Sequence, residues 1–113
     1  MTPRDREILA SIAESTRRVD GYAERAGSAW VEDGMALDAI AKRLEQIGEL
    51  AKRLPTELLG RMPEVDWRGV KGIREILVHE YEDVEVGVVT DAIATELPGL
   101  WHALETILAE PEH

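Results

Sequence analysis

Apolar residues recur every three or four positions along most of this chain, a spacing typical of α-helices that pack against a core. The clearest run is Leu37, Ile40, Leu44, Ile47, Ala51 and Leu54. Phe is absent, Ala, Leu, Ile, Val and Glu dominate, and turn signals are confined to a few places. The chain of 113 residues is long enough for one domain with its own core. We therefore predict a single all-α domain over residues 1–113.

Capping and breaking residues set the expected helix limits. Thr2 followed by Pro3 is typical of a helix start, and Gly27 of a helix end. Asp66 is a candidate cap for the central helix, and Pro98 should bend or break the last one near Thr95 to Leu97. We predict long helices over 3–26, 30–53, 67–81 and 84–109 and a short helical turn over 55–61, in an up-and-down bundle of four to five helices.

Charge and composition exclude several classes of function. A formal net charge of -10 argues against a protein that coats nucleic acid, because such binding depends on neutralising phosphates. The three histidines are scattered and cysteine is absent, so we expect no metal site and no thiol chemistry. The charged N-terminus does not resemble a signal peptide, and no apolar run reaches bilayer length. We expect a soluble, cytoplasmic protein that needs no cofactor.

The stretch from Val65 to Tyr81, VDWRGVKGIREILVHEY, predicts a helix with two apolar faces. One face is an ordinary core stripe at helical spacing: Trp67, Val70, Ile73 and Leu77. Gly72, Ile76 and His79 fall roughly on the opposite side, which in an isolated bundle would face water. A small residue there permits close approach of another chain. We therefore expect this helix to lie between its own bundle and a partner protomer.

Polar residues on the same helix suggest chemistry on a phosphate. Arg68, Lys71 and Arg74 form a local basic patch, although a solvated helix flank is the ordinary interpretation of the first two. Arg74 adjoins the core stripe and has the planar fork that suits phosphate oxygens. His79 titrates near neutral pH and could move a proton, and Tyr81 could position a phosphate or a base. Positions 74 and 79 point about 140° apart on one helix, so a second subunit or local fraying would be needed to unite them.

The string from Arg74 to Tyr81, REILVHEY, resembles the Arg-x-x-x-x-His-x-Tyr signature of HEPN ribonucleases of the HepT-like toxin family. Other segments resemble that family's successive landmarks in the right order, over about Trp30 to Leu108. They are Leu37-Asp-Ala39, Ile47-Gly48-Glu49-Leu-Ala51, Pro63, Trp67, the run RGVKGIRE and Leu97-Pro98-Gly-Leu100. The resemblance implies an HEPN-type helical bundle that homodimerises, with the signature helices meeting at a cleft.

The same resemblance implies an activity and a partner. It implies a toxin of a type VII-like toxin–antitoxin pair, an endoribonuclease that cleaves RNA without a metal, with Arg74 and His79 as catalytic residues. Tyr81, Arg68, Lys71 and Glu75 would bind RNA or support the site. The implied antitoxin is a minimal nucleotidyltransferase of the MntA type that can attach AMP to Tyr81. Such an adduct would bring negative charge and bulk into a site built for RNA phosphate.

One departure from the family pattern leaves two interpretations open. The family commonly has Asn directly after the signature Arg, where this chain has Glu75. A carboxylate there could repel phosphate, or it could pair harmlessly with Arg68 or Lys71. The competing hypothesis is therefore a catalytically silent helical dimer that acts as a binding module for a nucleotidyltransferase, with His79 structural.

Overall fold

The computed structural model of the protein describes residues 1–27, 34–79, 89 and 92–111, with side chains for all of these except 25, 26, 74–79 and 92. Its elements are helices α1 (Pro3–Ala26), α2 (Gly34–Ala51), α3 (Thr56–Leu59), α4 (Trp67–His79) and α5 (Leu97–Leu108), with a π-helical segment at Ala92–Glu96 before α5. The described ranges contain no strand. The predicted all-α class is confirmed.

The start and end of α1 follow from its capping residues. The Thr2 hydroxyl accepts a hydrogen bond from the backbone N–H of Asp5 at 3.0 Å, and Pro3 opens the first turn. Gly27 ends the helix with a φ of 76°, a left-handed conformation that side chains rarely adopt. Its N–H turns back to the carbonyls of Ala23 and Glu24.

Helix α2 lies at the centre of the bundle, packed against both α1 and α4, while α5 packs against α1. The sequence predicts this helix over 30–53; of that range, residues 30–33 lie outside the described residues. The described helix ends at Ala51, because Arg53 and Leu54 donate to carbonyls three residues back instead of four. Pro55, which follows this tightened turn, has no N–H with which to continue the helix.

The core contains the apolar stripes that the sequence predicts. Ile12 and Val19 of α1, Leu44 and Ile47 of α2 and Val70 of α4 are fully buried. Apolar residues at helical spacing in the last part of the chain are also inside: Val89, Leu97, Leu100, Leu104 and Ile107 are buried and Ile93 is partly buried. These residues form one cluster, so burial of apolar surface holds all the long helices together.

A change of helix type precedes Pro98. The backbone is π-helical over Ala92–Glu96 and becomes α-helical at Leu97, with Pro98 in the first turn of α5. A proline is tolerated in a first turn, where its missing N–H would have no intrahelical partner. The predicted start of this helical region at residue 84 lies outside the described residues. No helix in the described ranges combines the length and apolar character needed to cross a bilayer.

Candidate active site

Helix α4 carries two of the three signature positions. Arg74 lies in its middle and His79 is its last residue. Ideal helical geometry separates these positions by about 140° around the axis and roughly 7.5 Å along it. Their side chains and that of Glu75 are outside the described set, and Tyr81 lies outside the described residues. The catalytic, RNA-binding and modification roles of these four residues therefore stay predictions.

The first turn of α4 is fixed by a side-chain cap. Asp66 Oδ1 accepts a hydrogen bond from the backbone N–H of Gly69 at 3.1 Å, and the Asp66 carbonyl accepts from Val70 N–H at 3.0 Å. Trp67, Val70 and Ile73 are buried on the inner face, as predicted. Capping and burial together set the direction in which α4 projects residues 74 and 79.

Among the described residues, the surroundings of Gly72 on α4 are open. Apart from its two chain neighbours and the backbone of its own helix, no described residue has a heavy atom within 4 Å of the position that a Cβ would occupy there. Arg68 is exposed and Lys71 is half-buried, and neither forms an ion pair within the described part of the chain. Arg61, which precedes this patch, is paired with the Glu110 carboxylate at 2.6 Å. The unpaired positive charge of this patch therefore comes from Arg68 and Lys71 on α4.

A second carboxylate lies close to the cap and was not predicted from the sequence. Asp66 Oδ2 and Glu96 Oε1 lie 2.6 and 2.9 Å from the position that a Cβ of Gly69 would occupy. Burial, and then the charge of Asp66, raise the pKa of Glu96 above its usual value. Thirty residues separate Glu96 from Asp66 in the sequence, and no spacing pattern connects them. Two carboxyl groups therefore lie close together at the start of α4, and the pKa of one of them, Glu96, is raised.

The indole N–H of Trp67 is buried and has no hydrogen-bond partner among the described residues. Within the same ranges, no three His, Asp or Glu side chains are close enough together to hold a metal ion.

Comparisons with known proteins agree on one family. The family described as Ribonuclease HepT-like matches residues 12–107. Putative RNase TTE0752 of Caldanaerobacter subterraneus is 34% identical over 70% of this chain and 70% of its own length. Putative RNase MJ0127 of Methanocaldococcus jannaschii is 25% identical over 95% of this chain and 89% of its own. Probable ribonuclease HepT of Thermococcus cleftensis is 28% identical over 84% of this chain and 87% of its own length. No solved structure shows a significant match.

Proposed function

Because the chain belongs to the HepT-like ribonuclease family, we propose that it is an endoribonuclease that cleaves RNA without a metal ion, using Arg74 and His79. The observation that carries this proposal is the Arg74, His79 and Tyr81 signature inside a family match that spans residues 12–107. The family is named for ribonucleases, and the signature residues are of the types that phosphodiester cleavage requires.

The proposed reaction is attack by a ribose 2′-oxygen on the neighbouring phosphorus. The imidazole of His79 accepts the 2′-hydroxyl proton while water protonates the departing 5′-oxygen, or it protonates the 5′-oxygen while water takes up the 2′-hydroxyl proton. The P–O5′ bond breaks as the P–O2′ bond forms, which leaves a 2′,3′-cyclic phosphate and a 5′-hydroxyl. The guanidinium of Arg74 stabilises the negative charge that develops on the phosphate oxygens.

The active form in this proposal is a homodimer. Positions 74 and 79 diverge by about 140° on one α4 helix, so one protomer does not direct both toward one phosphate. Gly72 has no side chain, and no described side chain lies within 4 Å of its Cβ position, which favours close approach of a second α4. In the proposed dimer, Arg74 of one protomer acts with the partner's His79 in a cleft between the two α4 helices. Each dimer then contains two equivalent sites, as two-fold symmetry requires.

The remaining signature residues support this cleft. Arg68 and Lys71 contribute positive charge toward the RNA backbone, and neither has an ion-pair partner within the described residues. Tyr81 positions the scissile phosphate or a base. Glu75 stands in place of the usual Asn, and in this proposal its carboxylate leaves the site active.

The biological role that we infer is that of a cytoplasmic toxin controlled by an antitoxin. The partner is a minimal nucleotidyltransferase of the MntA type, which attaches AMP to the Tyr81 hydroxyl and releases pyrophosphate from ATP. The adduct carries a negative charge and occupies the place of RNA phosphate, which silences the site. Mass spectrometry of the protein expressed with this partner should show added AMP on Tyr81; an unmodified Tyr81 in a neutralised complex would contradict the modification.

Cleavage of single-stranded RNA in the presence of EDTA tests the enzymatic proposal. The parent protein should cleave, and His79→Ala should not. His102→Ala is a matched control, because His102 is exposed on α5 and should leave cleavage unchanged. If the unmodified parent fails to cleave, Glu75 becomes the specific reason to favour the second candidate, a silent dimer that binds the nucleotidyltransferase.

A further inference from the structure

A groove of about 360 Å³ lies between α1 and α2 and carries an unusual set of side chains. Its lining has three arginines, two glutamates, two serines, a glutamine and a leucine: Arg18, Arg43, Arg53, Glu14, Glu49, Ser11, Ser15, Gln46 and Leu50. This lining is formally positive although the chain carries a net charge of -10. We propose that this groove binds phosphates of an RNA strand. The proposal rests on the ribonuclease function inferred above and extends its RNA-binding surface.

Two guanidinium groups meet at the wall of the groove. Arg18 from α1 and Arg43 from α2 both hydrogen-bond to the hydroxyl of Tyr22, which lowers the pKa of that phenol. Arg43 also donates to Gln46 Oε1 at 3.2 Å. These partners of Arg43 are neutral, and Arg43 forms no ion pair within the described residues. A bound anion would supply the missing counter-charge.

The glutamates in the lining do not cancel this attraction. Glu14 accepts from Arg17 Nη2 at 2.6 Å and from Arg18 Nε at 3.0 Å, and these contacts lower its pKa to about 2. Its negative charge is therefore already matched by two cations, one of which, Arg17, lies outside the lining. Glu49 is the other carboxylate of the lining, which also contains the guanidiniums of Arg43 and Arg53.

The positions of the arginines favour a strand over a single small anion. Arg43 lies within α2 and Arg53 lies just past its end at Ala51, and the helix from Arg43 to Ala51 alone rises by roughly 12 Å. That distance exceeds one phosphate group and suits successive phosphates of a polynucleotide. The serine hydroxyls and the Gln46 amide can add hydrogen bonds to phosphate oxygens.

The lining also indicates how the strand is recognised. None of the nine lining residues, all within the described ranges, is aromatic, so the lining itself offers no aromatic ring on which a base can stack. Contacts to phosphate alone fix position without reading sequence. We therefore expect binding in the groove to be independent of base sequence and strongly dependent on salt.

Binding of a fluorescently labelled 2′-O-methyl oligoribonucleotide to the full chain tests this site. The probe cannot be cleaved by 2′-oxygen attack, because that oxygen is methylated. Arg43→Gln and Arg53→Gln should each weaken binding about fivefold, the range of an exposed ion pair. Each should also reduce the salt slope, the dependence of log K on log salt, by about 0.7.

Two further variants show whether weaker binding comes from loss of this site, from loss of one positive charge, or from damage to the fold. Arg4→Gln makes the same charge change at an exposed position of α1 outside the groove and should bind like the parent. Glu14→Gln should bind RNA more tightly, because it releases Arg18 from its carboxylate partner. A variant that merely damaged the fold would not strengthen binding.

The outcomes distinguish this site from the proposed nuclease function. Parent-like binding by both Arg43→Gln and Arg53→Gln, or an equal loss in Arg4→Gln, would overturn the groove as an RNA site even if the protein cleaves RNA. Displacement of the probe by polyglutamate as effectively as by RNA of equal charge would also overturn it in favour of an acidic protein partner. If the parent does not cleave unmethylated RNA but its binding still depends on Arg43, the nuclease proposal fails and the groove assignment stands.

Discussion

The carboxylate of Asp66 accepts a hydrogen bond from the backbone N–H of Gly69 at 3.1 Å and so fixes the first turn of α4. The same turn places the buried faces of Trp67 and Val70 against the bundle. The orientation of positions 74 and 79 is therefore set at the far end of their helix, by a residue that takes no part in the proposed chemistry.

Removing this cap should destabilise the protein. Asp66→Ala should lower the free energy of unfolding by about 1 kcal/mol, because it leaves an amide at the helix start without its acceptor. Asp66→Asn retains a capping oxygen and serves as the matched control, with a much smaller loss expected. Urea unfolding followed by circular dichroism measures both values. Equal destabilisation by Ala and Asn would show that the hydrogen bond is not the source of the effect.

Glu96 should make stability depend on pH in the direction opposite to a salt-bridged acid. Burial and the Asp66 carboxylate raise the pKa of Glu96 above 4.5, so the folded state favours its protonated form. Ionisation of Glu96 therefore costs stability progressively as the pH rises above 4.5 through the raised pKa.

Glu96→Gln should consequently increase the free energy of unfolding near neutral pH and have little effect below 4.5, where the carboxyl is protonated in both states. Glu64→Gln, at an exposed position, is the control for loss of one negative charge. Thermal unfolding across this pH range measures the difference. A Glu96→Gln effect that persisted unchanged in acid would contradict the electrostatic explanation.

Gly72 should respond differently to a small and a large side chain. No described side chain lies within 4 Å of its Cβ position, so Gly72→Ala should stabilise an isolated chain by about 1 kcal/mol through helix propensity. Gly72→Leu should weaken the proposed dimer, because the added side chain separates the two α4 helices. Gly34→Leu, at another open glycine, is the control. Sedimentation equilibrium measures self-association, and an unchanged dimer in Gly72→Leu would place the interface elsewhere.

The phenol of Tyr22 should titrate below the usual value. Hydrogen bonds from Arg18 and Arg43 favour the phenolate, which lowers the pKa of Tyr22 from 10.0. The chain has two tyrosines, so in a Tyr81→Phe background an ultraviolet titration reports Tyr22 alone. Arg43→Gln in that background should move the midpoint back toward 10.0. An identical midpoint with and without Arg43 would contradict the contact between Arg43 and the Tyr22 hydroxyl at the groove wall.

Local signals predicted much of the fold and part of the site's scaffold. Thr2, Gly27 and Asp66 act within three or four residues of themselves, so their capping roles can be inferred from the neighbouring sequence. Stripe residues such as Leu44 and Val70 are buried because helical spacing alone puts them on one face. Those features needed no knowledge of how the helices pack.

Contacts between distant segments could not be predicted in this way. Glu96 reaches the cap of α4, and Arg18 and Arg43 meet at Tyr22, only because helices from different parts of the chain lie side by side. The pairing of Arg61 with Glu110 likewise joins residues 49 positions apart. The proposed union of Arg74 with His79 depends on a second protomer, which periodicity within one helix suggests but does not define.

Complementation between two inactive variants tests the central claim most directly. Arg74→Ala and His79→Ala should each abolish RNA cleavage. If Arg74 acts with His79 of the partner subunit, a mixed dimer has one intact site and one site that lacks both groups. Equal amounts of the two variants, unfolded and refolded together, should recover about a quarter of the parent's cleavage rate, because half of the dimers are mixed. If mixed dimers purified from this mixture were completely inactive, that result would contradict a site shared between two protomers.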